Sequence, residues 1–198
     1  FGSACTVSNK FIEKLANLGV MNTACELNEI KDKKQAKKTD GSKSKRIRGI
    51  PKLNDANMAG SKESEECTLI LCEGDSAKSG IVSGLSANDR NYYGVFPMKG
   101  KLFNVRGETT KRVTENAEIA DIKKILGLEM DKVYTDTQSL RYGKILIMAD
   151  QDLDGSHIKG LFINMVSCLW PSLLKIDNFI GFMNTPILKA TKANKSIS

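Results

Sequence analysis

Residues 144–160 read K-I-L-I-M-A-D-Q-D-L-D-G-S-H-I-K-G, an apolar run followed by three aspartates at alternate positions. The apolar run is typical of a strand that is buried on both faces of a sheet. The aspartates, Asp150, Asp152 and Asp154, stand so close together that their carboxylates repel one another and need a positive charge nearby. The stretch therefore predicts a cation site at the end of a buried strand.

Three other apolar segments have the length and composition of strands, and helix-like segments stand between them. Strands are predicted over 67–72, 93–98, 144–149 and 179–188, and helices over 114–126, over 157–170 and from about Asp75 or Ser76. Strands that alternate with helices predict an α/β fold with a mostly parallel sheet, right-handed crossovers and helices on both faces.

The N-terminal third of the chain predicts helices and a linker instead of strands. Ser8 is a candidate N-cap for a helix whose apolar residues recur at helical spacing until Gly19, a natural stop. A second helix is predicted from about Thr23 into a lysine-rich run that fades near residues 40–42. Residues 47–66 contain Pro, Gly and Asn without a sustained period, so we predict a connector with a domain boundary at its end.

The positive charge of the chain is concentrated in residues 31–48, K-D-K-K-Q-A-K-K-T-D-G-S-K-S-K-R-I-R. These hold nine Lys and Arg against two Asp, a net +7 that equals the formal net charge of all 198 residues. Such a run can bind nucleic-acid phosphates or serve as a nuclear address, and it can equally be a solvated, flexible linker. The sequence leaves these interpretations open.

The composition also excludes several classes of protein. No apolar run is long enough to cross a bilayer, and the first residues lack the pattern of a signal peptide. The five cysteines have no metal-ligand spacing and fit free thiols in a reducing interior better than a disulfide scaffold. The chain opens on Phe1 instead of Met, so we expect it to be a piece of a longer protein.

A fourth carboxylate, Glu73, follows the 67–72 strand much as Asp150 follows the 144–149 strand. Sites in parallel sheets form beyond the carboxyl ends of the strands, so neighbouring strands would bring these two side chains together. Hard carboxylate oxygens without a cluster of Cys or His favour Mg²⁺ over Zn²⁺. Because protein-bound Mg²⁺ commonly shares its coordination with substrate phosphates, the pattern and the basic run predict phosphoryl chemistry on a nucleic acid.

The same motifs also allow simpler interpretations. D-Q-D-L-D-G matches the start of a calcium-binding EF-hand loop, but its twelfth position is Leu161 instead of Glu, and a strand precedes it, so calcium sensing is rejected. An aspartate-nucleophile phosphatase would leave Glu73 and the basic run unexplained. E-G-D-S taken alone reads as a helix N-cap, and Lys99 and Lys101 as surface lysines, although Gly100 between them would let a phosphate approach closely.

Three motifs in a fixed order carry a resemblance to a known family. These are E-G-D-S-A-K at 73–78, P-M-K-G-K-L-F-N-V at 97–105 and D-Q-D-L-D-G-S-H-I-K-G at 150–160. Together they resemble the Toprim domain of type IIA DNA topoisomerases, in its eukaryotic form. I-P-K-L-N-D-A-N-M-A-G upstream and C-L-W-P-S-L-L downstream extend the resemblance over nearly the whole chain. It implies a Rossmann-like Toprim fold.

The resemblance also implies roles for individual residues. Glu73, Asp150 and Asp152 would be catalytic and would hold one or two Mg²⁺ ions, with Asp154 as a supporting ligand. Contacts to DNA would come from six residues, namely Lys78, Lys99, Gly100, Lys101, Asn104 and His157. The nucleophile of the family is a tyrosine on the winged-helix domain of the partner subunit, and none of the four tyrosines here lies in that motif.

The implied activity is ATP-driven passage of one DNA duplex through a transient double-strand break in another. The resemblance implies that ATP is used by a domain outside this chain, that the full-length enzyme is a homodimer in the nucleus, and that no membrane is involved. Two alternatives stay open: another Toprim enzyme, such as a primase or nuclease, and a non-catalytic DNA-binding module.

The resemblance divides the chain into four parts. Residues 1–46 would be the helical end of a transducer domain with its lysine-rich linker, and 47–66 a connector. Residues 67–175 would form the Toprim domain, and 176–198 its last strand and the link towards a winged-helix domain.

Overall fold

The computed structural model describes residues 7–183, 190–192 and 195–197. Its helices are α1 (Asn9–Asn17), α2 (Val20–Lys37), α3 (Gly74–Gly84), α4 (Asp89–Tyr92), α5 (Thr110–Glu115), α6 (Ala117–Leu126) and α7 (Leu153–Leu169). Its strands are β1 (Thr68–Glu73), β2 (Tyr93–Met98), β3 (Lys144–Met148), β4 (Ile180–Met183), β5 (Ala190–Lys192) and β6 (Lys195–Ile197).

Four of these strands form one sheet in the order β2-β1-β3-β4, and every neighbouring pair in it is parallel. Glu73 at the end of β1 pairs with Met98, and Cys72 pairs with Met148 of β3, so three strands end at the same edge. β5 and β6 pair as a separate antiparallel hairpin. The predicted α/β fold and parallel sheet are confirmed.

Helices cover both faces of the sheet, but unequally. One face joins β1, β2 and β3 to α6 and α7 in the main hydrophobic core, which includes Leu71, Ile147 and Phe162. The other face has a small cluster around Ile70 and Cys72, packed mainly against α3. The larger core therefore lies on the α6 and α7 side of the sheet, and α3 covers the other side.

The predicted helix over 114–126 is two helices in the structure. Asn116 lies between α5 and α6, and its Oδ1 accepts a hydrogen bond from the backbone N–H of Ile119 at 3.1 Å. An Asn side chain in this position caps the helix that follows it. Gly127, where the helix was predicted to stop, lies in the left-handed region just after α6.

The other predicted helices and strands agree with the structure in type, with shifted ends. α1 begins after its predicted cap, Ser8, and α2 begins at Val20, slightly before the predicted start. Residues 47–66 form a connector that contains one short 3-10 turn. The last sheet strand covers Ile180–Met183, and residues 184–189 of its predicted range lie outside the described residues.

Two further predictions concern the chain as a whole. In the described parts of the chain, no helix has both the length and the apolar character that a membrane crossing requires. The described cysteines are free thiols, as predicted. The four-part division of the chain stays a prediction.

Candidate metal and nucleic-acid site

The parallel pairing of β1 with β3 places the end of β1 beside the start of the aspartate motif. Glu73 is the last residue of β1, and Asp150 follows β3 by two positions. Burial raises the pKa of the Glu73 carboxyl, and the negative charges of Asp152, Asp150 and Asp154 raise it further. Four carboxylates therefore share one electrostatic environment at the edge of the sheet, as the strand-end argument predicts.

Asp152 fixes the start of α7. Its Oδ1 accepts a hydrogen bond from the backbone N–H of Gly155 at 2.7 Å, the arrangement of an N-cap. This cap explains why α7 begins at Leu153 instead of the predicted residue 157. Gly155 itself packs closely, since a Cβ there would lie 2.0 Å from the backbone oxygen of Asp150. The loop between β3 and α7 is therefore held by one side-chain cap and one close backbone contact.

Asp154, in the first turn of α7, faces the basic loop that follows β2. Its Oδ1 lies 2.9 Å from Nζ of Lys101, and both side chains are at least half exposed. The hydrogen bond and charge of Lys101 lower the pKa of Asp154, and the charge of His157 lowers it slightly further. The charge of Lys101 also offsets part of the rise in the pKa of Glu73. The structure thus brings the acidic cluster and the basic loop together.

The basic loop itself has the geometry for close approach by a ligand. Gly100 has φ of +113°, a conformation that favours glycine, and no atom lies within 4 Å of where its Cβ would be. The backbone N–H of Lys99 donates to Oε1 of Glu118 on α6 at 2.7 Å, which ties the loop down and leaves the Lys99 side chain exposed. Two ammonium groups therefore flank an open backbone position.

The remaining predicted DNA contacts lie on neighbouring elements. Asn104 is exposed, and its Oδ1 accepts a hydrogen bond from Nδ2 of Asn164 on α7 at 2.9 Å. His157 is exposed on the first part of α7. Lys78 is half-buried on α3, which directly follows Glu73. All six predicted DNA-contact residues thus follow β1, β2 or β3 at the carboxyl ends of the strands.

The structure adds one basic residue that the sequence analysis did not assign to the site. Nζ of Lys52, in the connector, lies 2.6 Å from Oδ2 of Asp75. This hydrogen bond lowers the pKa of Asp75, and the charges of Lys52, Lys78 and Lys99 lower it further. Lys52 lies within the I-P-K-L-N-D segment of the resemblance, which is the only sequence signal that marks it.

The donor set fits an open Mg²⁺ site better than a closed metal cage. In residues 7–183 and the two short strands beyond, no three His, Cys, Asp or Glu side chains converge closely enough to enclose an ion. Mg²⁺ does not need such a cage, because it keeps several waters and binds one or two carboxylates together with substrate phosphates. Burial and the negative charges of the three aspartates together raise the pKa of Glu73, and a divalent cation would relieve the repulsion among these carboxylates.

Comparison with known proteins agrees with this geometry. The family model described as "Toprim domain" matches residues 68–181. The chain is 50% identical over 198 residues to DNA topoisomerase 2 of Pisum sativum, covering all of this chain and 14% of that protein. It is 53% identical over 204 residues to DNA topoisomerase 2-beta of Homo sapiens, covering all of this chain and 12% of that protein.

A solved structure shows the same similarity. The crystal structure of the Plasmodium falciparum topoisomerase II DNA-binding, cleavage and re-ligation domain matches with a TM-score of 0.73 and 56% sequence identity. The match covers 78% of this chain and 21% of that one. This chain therefore spans only a small part of the length of the relatives that it matches.

These matches confirm the Toprim family and the fold that the three motifs predicted. The roles assigned to individual site residues stay predictions. With more than half of its length matched by the family model, this chain belongs to the Toprim domain family.

Proposed function

We propose that this chain supplies the Mg²⁺-binding half of a DNA cleavage and religation site in an ATP-dependent type II DNA topoisomerase. The proposal rests on the position of Glu73 and the three aspartates at one edge of a parallel sheet. There, burial and the negative charges of the aspartates raise the pKa of Glu73. Similarity along the whole chain to proteins named DNA topoisomerase 2 favours this function over a primase or a nuclease.

Glu73, Asp150 and Asp152 are the residues that would hold Mg²⁺. When bound, the ion would polarise the phosphodiester and stabilise charge on the departing oxygen. One oxygen of Asp152 is already engaged by the helix cap, so its other oxygen is the one open to the metal. Asp154 would be a supporting residue of the site, because its carboxylate is ion-paired with Lys101.

The basic groups around the carboxylates would position DNA. The side chains of Lys99 and Lys101 would contact phosphates on either side of Gly100, where the backbone is open to close approach. Lys78 and Lys52 add positive charge around Asp75. Asn104 and His157 are exposed polar groups on the same side of the sheet and would contact the backbone of the DNA. Phosphate contacts of this kind set position without reading sequence.

Three of the four tyrosines of this chain are poor nucleophiles in the structure, and the fourth, Tyr93, lies at the start of β2, at the end of the strand away from the carboxylates. Both observations support a nucleophile located elsewhere. Tyr142 is fully buried, and burial raises its pKa strongly, so its phenolate is not accessible. Tyr134 is also buried, and burial raises its pKa. The phenol of Tyr92 donates to Glu63, and this hydrogen bond raises its pKa. We therefore assign the attack to a tyrosine on the winged-helix domain of a partner subunit.

The rest of the proposed enzyme lies outside this chain. ATP would be used by a separate domain, two copies of the full-length protein would form a homodimer, and the substrate is duplex DNA. The proposed location is the nucleus, as expected for the eukaryotic form of the enzyme. A non-catalytic DNA-binding module is the remaining alternative, and it has no use for four clustered carboxylates.

The test is a calorimetric titration of Mg²⁺ into the parent chain, an Asp150→Ala variant and an Asp177→Ala control. Asp177 is an exposed carboxylate on the loop before β4. We expect Asp150→Ala to weaken Mg²⁺ binding by about 10–100-fold or more and the control to leave it unchanged. Equal binding by all three would contradict the proposed metal site.

A second measurement separates the metal half from the complete enzyme. The 198-residue chain with Mg²⁺ should bind DNA and leave supercoiled plasmid uncut, because the nucleophile is absent. Cutting by the chain alone would overturn the assignment. In the intact enzyme, Asp150→Ala should abolish Mg²⁺-dependent cleavage, and Asp177→Ala should retain it.

A further inference from the structure

The lysine-rich segment, residues 31–48, has a defined position in the structure. Its first part is the end of α2, where Ala36 is buried. Lys33 and Lys37, like Lys34 and Lys38, are four residues apart and so lie on one side of the helix, about 6 Å apart along its axis. Ala36, which packs against the domain, lies on the side of the helix opposite Lys34 and Lys38, and the exposed Lys33 and Lys37 flank it. The end of α2 therefore presents a stripe of lysines outward.

A buried lysine from α6 fixes the end of this helix. Lys123 is 2% exposed, and its Nζ donates to the carbonyl oxygen of Ala36 at 3.0 Å and to Oγ1 of Thr39 at 2.9 Å. The same Nζ lies 2.8 Å from Oδ1 of Asp40. This ion pair neutralises one of the two aspartates in the segment, so the surface of the segment is more positive than its sequence suggests.

The part of the segment beyond α2 is also docked. The backbone N–H of Gly41 donates to the carbonyl oxygen of Leu128 at 2.8 Å. Nε of the buried Arg141 donates to the carbonyl oxygen of Ser44 at 2.6 Å. Contacts from two buried cations and a backbone hydrogen bond do not fit a freely moving linker, so over residues 36–44 the flexible interpretation is wrong.

The outward side chains of the segment remain unneutralised. Lys43 donates to the backbone oxygen of Gln138. Within the described residues, eight other basic side chains of the segment are exposed and form no ion pair: Lys31, Lys33, Lys34, Lys37, Lys38, Lys45, Arg46 and Arg48. So many unpaired cations on a fixed backbone form a strong local positive field.

The same helix connects this segment to the carboxylate site. Near the start of α6, Glu118 accepts the hydrogen bond from the backbone N–H of Lys99. Five residues later, Lys123 holds the lysine-rich segment, a rise of about 7–8 Å along the helix. Between Glu118 and Lys123 on this helix, burial raises the pKa of Asp121, and the charges of Lys124 and Lys99 oppose that rise. One helix thus connects the basic loop to the lysine-rich segment.

We propose that the lysine-rich segment is a second DNA-contact surface, a fixed ridge of cations that binds the phosphate backbone of duplex DNA beyond the carboxylate site. This inference rests on the proposed function for the identity of the ligand. The contacts are to phosphates, so they add affinity and position without sequence preference.

The test compares the salt dependence of duplex binding, measured in EDTA, between the parent and two variants with equal charge changes. The ridge variant carries Lys33→Gln, Lys34→Gln, Lys37→Gln and Lys38→Gln. The control carries Lys10→Gln, Lys14→Gln, Lys62→Gln and Lys175→Gln, all at exposed positions outside the segment.

We expect the ridge variant to reduce the slope of log affinity against log salt by up to about 3.6, at about 0.9 per phosphate contact. The control should keep the parent slope. Equal slopes of log affinity against log salt for the two variants would contradict the proposed DNA-contact ridge. An unchanged slope together with lost nuclear accumulation of the ridge variant would also contradict the proposal. That result would indicate a nuclear localisation signal that a protein receptor binds.

A further variant separates a fixed ridge from a flexible polybasic tail. Asp40→Asn removes the partner of Lys123 and adds one positive charge to the segment. A fixed ridge predicts weaker DNA binding, because the segment loses its anchor, and a flexible tail predicts stronger binding. Circular dichroism of this variant verifies that the domain itself stays folded.

This design keeps the ridge distinct from the proposed catalytic function. Binding in EDTA does not depend on Mg²⁺, so Asp150→Ala should leave the ridge contribution to the slope intact. If Mg²⁺-dependent cleavage failed and the slope effect persisted, only the proposed function would fall. If cleavage persisted and the slope effect were absent, only the ridge would fall.

Discussion

The guanidinium of Arg141, which has no exposed surface, is ion-paired with Asp55, a residue of the connector that lies 86 positions earlier in the chain. Arg141 also donates to the carbonyl oxygens of Ile125 and Ser44, and the neighbouring Tyr142 donates its phenol proton to Asp55. One buried cation thus joins the connector, the end of α6 and the start of β3.

Removing this cation should destabilise the domain strongly. Arg141→Met leaves Oδ2 of the Asp55 carboxylate and two carbonyl oxygens without their donor, and we expect it to lower the free energy of unfolding by about 3–5 kcal/mol. Tyr142→Phe also leaves the backbone N–H of Ala56 unpaired and should cost about 1–3 kcal/mol. Urea unfolding measures both changes, and the double variant should be less than additive. Additive losses would mean that the two side chains act independently.

The ion pair of Lys123 with Asp40 should also contribute to the stability of the domain. Burial lowers the pKa of Lys123, and Asp40 opposes that shift, so the carboxylate is what keeps the buried amine charged. We expect Asp40→Asn to cost about 3 kcal/mol in urea unfolding. Asp32→Asn, in the same segment, is the matched control and should change stability by less than about 0.5 kcal/mol. A loss below about 1 kcal/mol for Asp40→Asn would show that the amine finds other partners.

These two buried cations mark what the sequence could not predict. Lysine and arginine are rarely buried without partners, so residues 123 and 141 carry no sequence signal of a core position. Their partners lie in the connector and the lysine-rich segment, which have no apolar period to indicate packing. The docking of residues 36–60 therefore became visible only in the structure.

Local signals predicted the sheet and the placement of the acidic site. Continuous apolar runs predicted the buried parallel strands, and the positions of Glu73 and Asp150 after two of them predicted the shared acidic edge. The break at Asn116 was missed because neither Pro nor Gly marks it, and an Asn inside a helix-like segment does not by itself indicate a cap. The pair of Lys52 with Asp75 was missed because it depends on how the connector folds back.

The close contact at Gly155 predicts a change that disturbs the site and leaves its charges intact. A Cβ at Gly155 would lie 2.0 Å from the backbone oxygen of Asp150, so Gly155→Ala must move the loop that carries the aspartates. We expect it to cost about 1–3 kcal/mol and to weaken Mg²⁺ binding. Thermal unfolding and calorimetry measure the two effects.

A matched control lies on the same helix. No atom is within 4 Å of a Cβ at Gly160, which is exposed, so Gly160→Ala should stabilise α7 by about 0.5–1 kcal/mol and leave Mg²⁺ binding unchanged. If both alanines had the same effect, steric contact with Asp150 would not be the cause of the loss at Gly155.

The repulsion around Glu73 predicts a stability cost that depends on pH and on metal. Because the pKa of Glu73 is raised above its value of 4.5 in the unfolded chain, its ionised form is a penalty on the folded state at neutral pH. That penalty decreases as the pH falls through the folded pKa towards 4.5. Without divalent cations, Glu73→Gln should therefore raise Tm at pH 7, and the gain should disappear near pH 4.5.

Mg²⁺ should reverse the order of the Tm values of the parent and the Glu73→Gln variant. Saturating Mg²⁺ binds the folded parent and raises its Tm, whereas the variant, which lacks the carboxylate, should respond weakly. Glu13→Gln on the exposed surface of α1 is the control and should show neither effect. Differential scanning calorimetry across pH, with EDTA or with Mg²⁺, measures all three proteins. A gain in Tm for Glu73→Gln that stayed constant from pH 7 to pH 4.5 would mean that ionisation of Glu73 is not its source.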